Sequence, residues 1–273
     1  MPDSKSSLLI LIPAYNEADR IEPVLQEYAS FFRANYPGSF EILVVLNGCR
    51  DNTLEVVQGV AAHFPEIKSL DFPAPIGKGG ALIEGLKLAN RGELIGYVDA
   101  DGATSPKAFL DLVRCCDRAD CVIGSRWIAG AVLHQQQSRN RQVFSRMFHF
   151  MVQCLFRMNI VDTQCGAKVM KREAIERVHA SLRITDVAFD INLLYCLKRE
   201  GYKILEVATE WTDKAGSKIR LNRGALGIVL SVVRLRLIYS PFHPWLRAFR
   251  PVEAWIYKTL RAPPPLPSKP KER

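Results

Sequence analysis

Short apolar runs alternate with longer amphipathic segments along the first half of the chain. The apolar runs predict buried strands, and apolar residues spaced three or four positions apart predict the helices between them. The predicted strands are 8–12, 41–46, 68–72, 93–98 and 121–124, and the predicted helices are 17–36, 53–64, 81–90 and 106–116. Alternating strands and helices are typical of a parallel sheet, so the predicted fold class is α/β, with a mostly parallel sheet flanked by helices.

The pattern changes after residue 126, and the second half of the chain is less regular. A glutamine-rich segment leads into a strongly apolar helix. The predicted elements from there on are a helix at 141–158, a strand-like segment at 161–170, helices at 171–180 and 188–199, and a strand at 204–209.

The C-terminal part is basic and ends in a proline-rich tail. Two basic amphipathic helices are predicted at 224–239 and 245–260. We therefore predict a main domain over residues 1–220, a basic helical extension over 221–261 and a disordered tail over 262–273.

Polar clusters follow the predicted strands of the first half, at the sheet edge where open α/β folds bind ligands. These clusters are 14–17, 47–51, 77–80 and 99–101. Because the carboxyl ends of parallel strands meet at one edge, the four clusters together predict a single binding crevice.

Asp99 and Asp101 end a buried strand and stand two residues apart, so both carboxylates can face one point. Adjacent carboxylates repel each other unless a cation joins them, and oxygen-only ligands suit Mg²⁺ or Mn²⁺ held together with substrate phosphates. A simple turn is the alternative, because Asp101-Gly102 is favourable turn chemistry. The strand-end position favours the metal site.

The Gly-Lys-Gly-Gly sequence at 77–80 precedes a predicted helix, where backbone N–H groups and Lys78 could meet a phosphate. It lacks the spacing of a Walker A motif, and an ordinary loop-to-helix turn is the alternative. The sequence contains no GxSxG motif, and all five histidines lie outside the polar clusters. Histidine-based acid–base chemistry is therefore not expected.

Charge is unevenly distributed along the chain. Residues 1–122 carry a net charge of −6 and residues 123–273 a net charge of +15, and residues 214–273 hold 13 basic groups against two acidic ones. A basic end predicts docking on an anionic surface, which could be phospholipid, a phosphorylated acceptor or nucleic acid. Aromatic and basic residues do not interleave as in nucleic-acid-binding modules, so no nucleic-acid partner is expected.

The cysteines and the apolar runs bear on the cellular compartment. Seven cysteines without a CxxC pair predict reduced thiols in a cytosolic protein, not a disulfide framework or a zinc site. No apolar run approaches the roughly 20 residues that span a bilayer. We therefore predict a cytoplasmic protein that is peripheral at the cytoplasmic face of a membrane.

Several segments together carry a resemblance to a known family. In chain order they are Ile12–Glu17, the loop at 77–80, Asp99–Thr104, Gly124–Arg126, Asp162–Gly166 and Ala188–Asp190. This order resembles the inverting family 2 glycosyltransferases of the Rossmann-like GT-A fold, above all the dolichyl-phosphate β-glucosyltransferase branch, with the dolichyl-phosphate mannosyltransferase branch a step away. The resemblance covers about residues 8–220. It implies metal-dependent transfer of a hexose, with inversion, from a nucleotide-sugar to a polyprenyl (dolichyl-type) phosphate.

The resemblance also implies site residues. It assigns nucleotide-sugar binding to Pro13, Tyr15, Glu17, Asp99 and Asp101, and the chemistry of their own side chains adds Lys78 and Asn47 as candidates. Of these, Asp99 and Asp101 match the family's metal-binding pair, which implies Mg²⁺ or Mn²⁺ as cofactor. The catalytic set is Asp101, Gln164 and Asp190, and Arg126 matches an arginine near the acceptor. A phosphorylated acceptor also needs further cations, and the candidates for acceptor binding are Arg139, Arg141, Arg146 and Lys218.

One motif departs from the family pattern. The family usually has Asp-Asp-Gly-Ser after its second strand, and this chain has Leu46-Asn47-Gly48-Cys49. An Asp there contacts the base in the family, so the nucleotide is left open, with UDP-glucose favoured and GDP-mannose the alternative donor. Asn47 still offers a carbonyl acceptor and an amide donor.

The chemistry of the acceptor separates the possible reactions. A phosphate monoester has a second pKa near 6, so its oxygen attacks without a strong base. A hydroxyl acceptor needs a base, and Asp190 is the candidate. Apolar helical faces edged by arginine, at 141–158 and 224–239, are typical of helices in a membrane interface, and ordinary core packing is the alternative.

Two other functions remain open from the sequence. One is a soluble family 2 glycosyltransferase that acts on a hydroxyl acceptor. The other is a degenerate binding or scaffold protein, which the departure at Leu46-Asn47 suggests and the intact Asp99–Asp101 pair opposes.

Overall fold

The computed structural model describes residues 6–133, 139–186, 188–212 and 221–240, with side chains outside 139–144 and 221–228. The chain divides into two compact units, Met1–Ala215 and Gly216–Arg273, which are described separately.

The first unit alternates strands and helices along the described residues. Its strands are β1 (Leu8–Ala14), β2 (Phe40–Asn47), β3 (Ile67–Phe72), β4 (Leu94–Tyr97), β5 (Cys121–Ser125), β6 (Val132–Leu133), β7 (Lys168–Lys171), β8 (Ile204–Ala208) and β9 (Glu210–Trp211). Its helices are α1 (Ile21–Asn35), α2 (Thr53–Ala61), α3 (Lys78–Leu86), α4 (Pro106–Arg114), α5 (Arg139–Phe156), α6 (Arg172–His179) and α7 (Phe189–Arg199).

Seven strands form one sheet in the order β3-β2-β1-β4-β7-β5-β8. Neighbouring strands pair in parallel except β7, which runs antiparallel to both β4 and β5. The prediction of a mostly parallel sheet flanked by helices is thereby confirmed. β6 and β9 form a separate two-stranded parallel sheet that the sequence pattern did not indicate.

The centre of the sheet is covered on both faces, which explains why its strands are continuously apolar. All five residues of Leu8–Ile12 are at most 1% exposed. Helix α1 buries Tyr28 and Phe32 against Phe109 of α4. The Tyr28 hydroxyl donates to the Thr104 carbonyl oxygen over 2.9 Å, and so fastens the loop that follows Asp101 to this core.

The strand-like segment predicted at 161–170 is wrong over its first part, since the strand is only Lys168–Lys171. The backbone N–H groups of Val161 and Asp162 donate to the carboxylate of Glu206, at 2.8 and 2.9 Å, and not to a neighbouring strand. The helix predicted to run to Asn90 ends at Leu86 and is followed by a short 3-10 turn.

In the second unit, α8 spans Leu221–Ile238, close to the predicted helix at 224–239. The predicted helix at 245–260 and the predicted tail at 262–273 lie outside the described residues. Of the helices that the structure describes, none has the length and apolar character needed to cross a bilayer.

Candidate active site

The turns after β1 and β2 are held together by side chains, so two of the predicted polar clusters meet. The Glu17 N–H donates to Oγ1 of Thr53 over 2.9 Å, and the Arg50 N–H donates to Oδ1 of Asn16 over 2.8 Å. Thr53 in turn donates to Oδ1 of Asp51. Asn16 adopts a left-handed backbone conformation in this turn (φ 54°). Helix α1 begins after the turn, at Ile21, and not at the predicted residue 17.

The residues predicted to line a nucleoside pocket lie at the end of β1 and in the turn that follows it. Pro13 belongs to the last part of β1, and Tyr15 follows that strand. Both are partly exposed. The Glu17 carboxylate pairs with the Arg20 guanidinium.

Asn47 supports the loop before α3. Its Oδ1 accepts hydrogen bonds from the backbone N–H groups of Ile76 and Gly77, at 2.6 and 3.0 Å. A carbonyl oxygen has two lone pairs, and both are used here. The carbonyl that the sequence offered to a base therefore holds the loop, in which Gly77 takes a φ of 80° that side chains disfavour.

Lys78 and Asp99 form an ion pair, with the ammonium 2.6 Å from Oδ1. Burial lowers the pKa of Lys78, but the negative charges of Asp99 and Asp190 outweigh it and raise the pKa above its usual value. Gly166 also lies against Asp99, and a β-carbon at Gly166 would overlap the carboxylate. This close approach explains the glycine.

Asp101 carries the second carboxylate of the pair. Burial and the charge of Asp99 raise its pKa above the usual value, although its Oδ1 accepts from the Ala103 N–H over 3.0 Å. A cation would relieve the repulsion that the two carboxylates share. Among the described residues no group of three or more metal-ligating side chains occurs. Two carboxylate ligands fit an ion such as Mg²⁺, which takes its remaining ligands from substrate phosphates and water.

Asp190 lies at the start of α7 in a buried polar network. Its Oδ1 is 2.5 Å from the ammonium of Lys168 and accepts from the Tyr97 hydroxyl over 2.5 Å. Lys168 also donates to the Cys165 carbonyl oxygen over 2.6 Å. Burial raises the pKa of Asp190, but the charges of Lys168 and Lys78 outweigh it, so the pKa lies below its usual value. An anion held in this way is a weak proton acceptor.

Sequence reasoning missed Lys168 and Tyr97. The only signal for Lys168 was a lysine in the apolar run Ala167–Met170, and nothing in the sequence placed Asp190 opposite it.

Arg126 forms a bidentate ion pair with the carboxylate of Asp162. Its Nε and Nη2 donate to the carboxylate at 2.7 and 2.9 Å, and its guanidinium lies 5.0 Å from the ring centre of Trp211. Burial lowers the pKa of Arg126, but the hydrogen bonds and charge of Asp162 outweigh it, so the pKa lies above its usual value. Gln164 lies two residues after Asp162 in the chain. Its Nε2 is buried without a hydrogen-bond partner among the described residues.

The structure thus brings Lys78, Asp99, Asp101 and Asp190 together, and the segment 162–166 links them to Arg126. For two other residues predicted to bind the acceptor, Arg139 and Lys218, the structure describes no side chain. Arg139 begins α5 with its side chain outside the description, and Lys218 lies outside the described residues.

Solved structures resemble this fold. Glucosyl-3-phosphoglycerate synthase from Mycobacterium tuberculosis, crystallised with Mn²⁺, uridine diphosphate and glucosyl-3-phosphoglycerate, superimposes with a TM-score of 0.63. The match covers 86% of this chain and 82% of that one at 18% sequence identity, and it shows a shared GT-A fold.

Sequence comparison assigns the family. The model of glycosyl transferase family 2 matches residues 9–178, and the chain belongs to that family. A dolichyl-phosphate β-glucosyltransferase of Dictyostelium discoideum is 33% identical over 244 residues, which covers 85% of this chain and 74% of the relative. The human protein of the same name is 32% identical over 225 residues, which covers 78% of this chain and 69% of the relative. The predicted resemblance is thereby confirmed.

Proposed function

We propose that this protein transfers glucose from UDP-glucose to a polyprenyl phosphate, with inversion at the anomeric carbon. The relatives in the comparison carry the name of this reaction. UDP accompanies Mn²⁺ in the neighbouring solved structure, which supports UDP over GDP as the donor nucleotide.

The observation that carries the choice of acceptor is the pairing of Asp190. A hydroxyl acceptor must lose its proton, and Asp190 is the carboxylate that the sequence offered for that task. Lys168 and Tyr97 already bind its Oδ1, and its pKa lies below the usual value. A phosphate acceptor arrives largely ionised near neutral pH and needs no such base.

The reaction is a single displacement. A phosphate oxygen of the acceptor attacks C1 of glucose, and the bond between C1 and the diphosphate oxygen breaks with its electron pair going to UDP. Lys78, held charged by Asp99 and Asp190, stabilises the negative charge that grows on the diphosphate. A divalent ion on Asp99 and Asp101 would supply further positive charge to that leaving group.

Asp190 acts in this scheme as a fixed counterion. It keeps Lys78 charged and, through Lys168, holds the Cys165 carbonyl in place. In this proposal Gln164, which precedes Cys165 in the chain, lies beside the transferred sugar.

Membrane attachment at the cytoplasmic face is part of the proposal. Residues 214–273 carry 13 basic groups against two acidic ones. Each basic group near an anionic bilayer contributes about 1 kcal/mol of attraction.

A donor and acceptor screen tests the proposal. UDP-glucose, GDP-mannose and UDP-galactose are each offered with a polyprenyl phosphate, with and without Mn²⁺. We expect a glucolipid from UDP-glucose only, and only with the metal. Transfer that prefers GDP-mannose, or that proceeds equally well to a free polyprenol, would contradict it.

A further inference from the structure

The backbone on both sides of Lys78 is fixed by hydrogen bonds to other parts of the chain. The two residues before Lys78 donate their N–H groups to Oδ1 of Asn47, which is 7% exposed, at 2.6 and 3.0 Å. After Lys78, the Gly80 N–H donates to the Thr185 carbonyl oxygen over 3.2 Å. Lys78, the first residue of α3, is therefore anchored both before and after its own position.

The turn after β2 packs directly against the loop before Lys78. A β-carbon at Gly48 would lie 2.6 Å from the backbone nitrogen of Pro75 and 2.8 Å from its Cα, so only glycine lets the two backbones meet. Gly48 has a φ of 63°, and its N–H donates to the Phe72 carbonyl oxygen over 2.7 Å. Asn47, the last residue of β2, therefore reaches the loop from a backbone that is itself fixed.

A second asparagine fixes the segment that binds Gly80. Asn192 lies in α7 and is 0% exposed. Its Oδ1 accepts from two consecutive backbone N–H groups, those of Arg183 and Ile184, at 2.9 and 3.2 Å. The next residue in the chain is Thr185, whose carbonyl oxygen accepts from Gly80. Asn192 therefore acts on the backbone after Lys78 much as Asn47 acts on the backbone before it.

The position of Lys78 bears directly on the departure of the diphosphate. Its ammonium ends a flexible four-carbon side chain, so a fixed backbone narrows the space that the charge can occupy. A charge that is already in place when the leaving group becomes negative needs no reorganisation during the reaction. Misplacement of such a group by about 1 Å can cost on the order of a hundredfold in rate.

We propose that Asn47 and Asn192 are positioning residues for Lys78. They fix the backbone on both sides of Lys78 and so place its ammonium where the diphosphate leaves. Neither asparagine needs to touch the donor for this role, because each acts through backbone N–H groups. The inference rests on the proposed function, in which Lys78 stabilises the charge of the leaving diphosphate.

Variants of the full-length protein at Asn47 test the first half of the proposal. Asn47→Leu is similar in size and removes the acceptor oxygen, whereas Asn47→Asp keeps an oxygen for both N–H groups. We expect Asn47→Leu to lower kcat for transfer from UDP-glucose about a hundredfold and UDP affinity with Mn²⁺ about tenfold, and Asn47→Asp to restore both. Asn35→Ala, which removes an exposed hydrogen bond to the Phe31 carbonyl oxygen, is the matched control and changes neither.

A second background separates positioning from a general loss of folded protein and from a direct contact with the nucleotide. Lys78→Met removes the ammonium, and Asn47→Leu is then expected to lower kcat and UDP affinity no further, because two residues that act through one contact are not additive. Asn192→Leu is expected to lower kcat about tenfold in the unaltered background and not at all in Lys78→Met. Hydrogen exchange at the amides of Ile76 and Gly77 is expected to quicken in Asn47→Leu and not in Asn47→Asp.

The possible failures are distinguishable. Equal losses from Asn47→Leu with and without Lys78, or an Asn47→Asp variant as impaired as Asn47→Leu, overturn the role of Asn47, and an unchanged kcat in Asn192→Leu overturns that of Asn192. Where Asn47→Leu does not fold, Asn47→Gln, which moves the amide oxygen by one methylene, enters the same comparison with the same expectation. Unaltered protein that makes no glucolipid overturns the proposed function, and the UDP affinities of the variants still decide the role of the two asparagines.

Discussion

The ammonium of Lys168 lies 2.5 Å from the carboxylate of Asp190, and their side chains are 0% and 4% exposed. Such a pair has lost the hydration of both ions, so each depends on the other. The charge of Asp190 also helps to raise the pKa of Lys78, whose own partner is Asp99. Positive and negative charges therefore alternate from the core to the predicted metal site.

Removing one member of this pair should destabilise the fold strongly. We expect Lys168→Met to lower the free energy of unfolding by about 3–5 kcal/mol, because it leaves a buried carboxylate without its cation. The double variant Lys168→Met/Asp190→Leu should recover part of that loss. Urea unfolding of both variants and of the unaltered protein measures it, and equal stability of Lys168→Met and the unaltered protein would contradict the pairing.

The same pair sets a pH dependence. The pKa of Asp190 is lower in the folded state than in the unfolded state, where it is near the usual value of about 3.9. Its contribution to stability is therefore fully present above that value and is lost as the pH falls through the lower, folded pKa. Unfolding free energies measured from pH 7 down to pH 2 should show this acid loss in the unaltered protein and a smaller one in Asp190→Asn.

The glycines of the chain offer a matched comparison. A β-carbon at Gly79 would lie 2.5 Å from the Ile184 carbonyl oxygen and 2.7 Å from Cβ of Phe189, whereas one at Gly59 would meet nothing within 4 Å. Gly79→Ala should lower stability by about 1–3 kcal/mol through overpacking. Gly59→Ala, inside α2, should raise it by about 0.5–1 kcal/mol. Thermal unfolding of the two variants checks both signs, and a neutral Gly79→Ala would contradict the close packing of α3.

Asp101→Asn tests the metal proposal. The substitution keeps size and removes the charge, so we expect transfer to be lost while the protein stays folded. Asp111→Asn, on the exposed surface of α4, is the control and should transfer normally. Turnover, circular dichroism and Mn²⁺ binding by calorimetry are measured together. Near-normal turnover of Asp101→Asn with Mg²⁺ or Mn²⁺ would exclude Asp101 as a metal ligand.

The basic end should attach the protein to anionic lipid. We expect the full-length chain to float with anionic vesicles at low salt and to be released partly at high salt, because salt screens the attraction. A chain without residues 224–273 should float less. Donor binding by calorimetry shows whether the first unit of that shorter chain remains folded. Equal flotation of the two chains would contradict this role.

The sheet and the polar clusters along its edge were predictable from the sequence because each signal there is local. The apolar run Leu8–Ile12 and the Asp99–Asp101 pair can be identified from short stretches of chain. The antiparallel strand β7 was not predictable, since its direction depends on which strands it joins. The pairing of Arg126 with Asp162, and of Lys168 with Asp190, likewise joins residues 36 and 22 positions apart. Such pairings bear on how a residue is interpreted: the sequence offered Asp190 as a candidate base, and the structure pairs its carboxylate with Lys168.

The most direct test of the central claim is the product itself. The full-length protein is incubated with UDP-glucose, Mn²⁺ and a polyprenyl phosphate, and the lipid product is analysed by mass spectrometry and by nuclear magnetic resonance of the anomeric proton. We predict a single glucose linked through phosphate in the β configuration, with release of one UDP for each glucose transferred. An α-linked product, or hydrolysis of UDP-glucose without any glucolipid, would contradict the account.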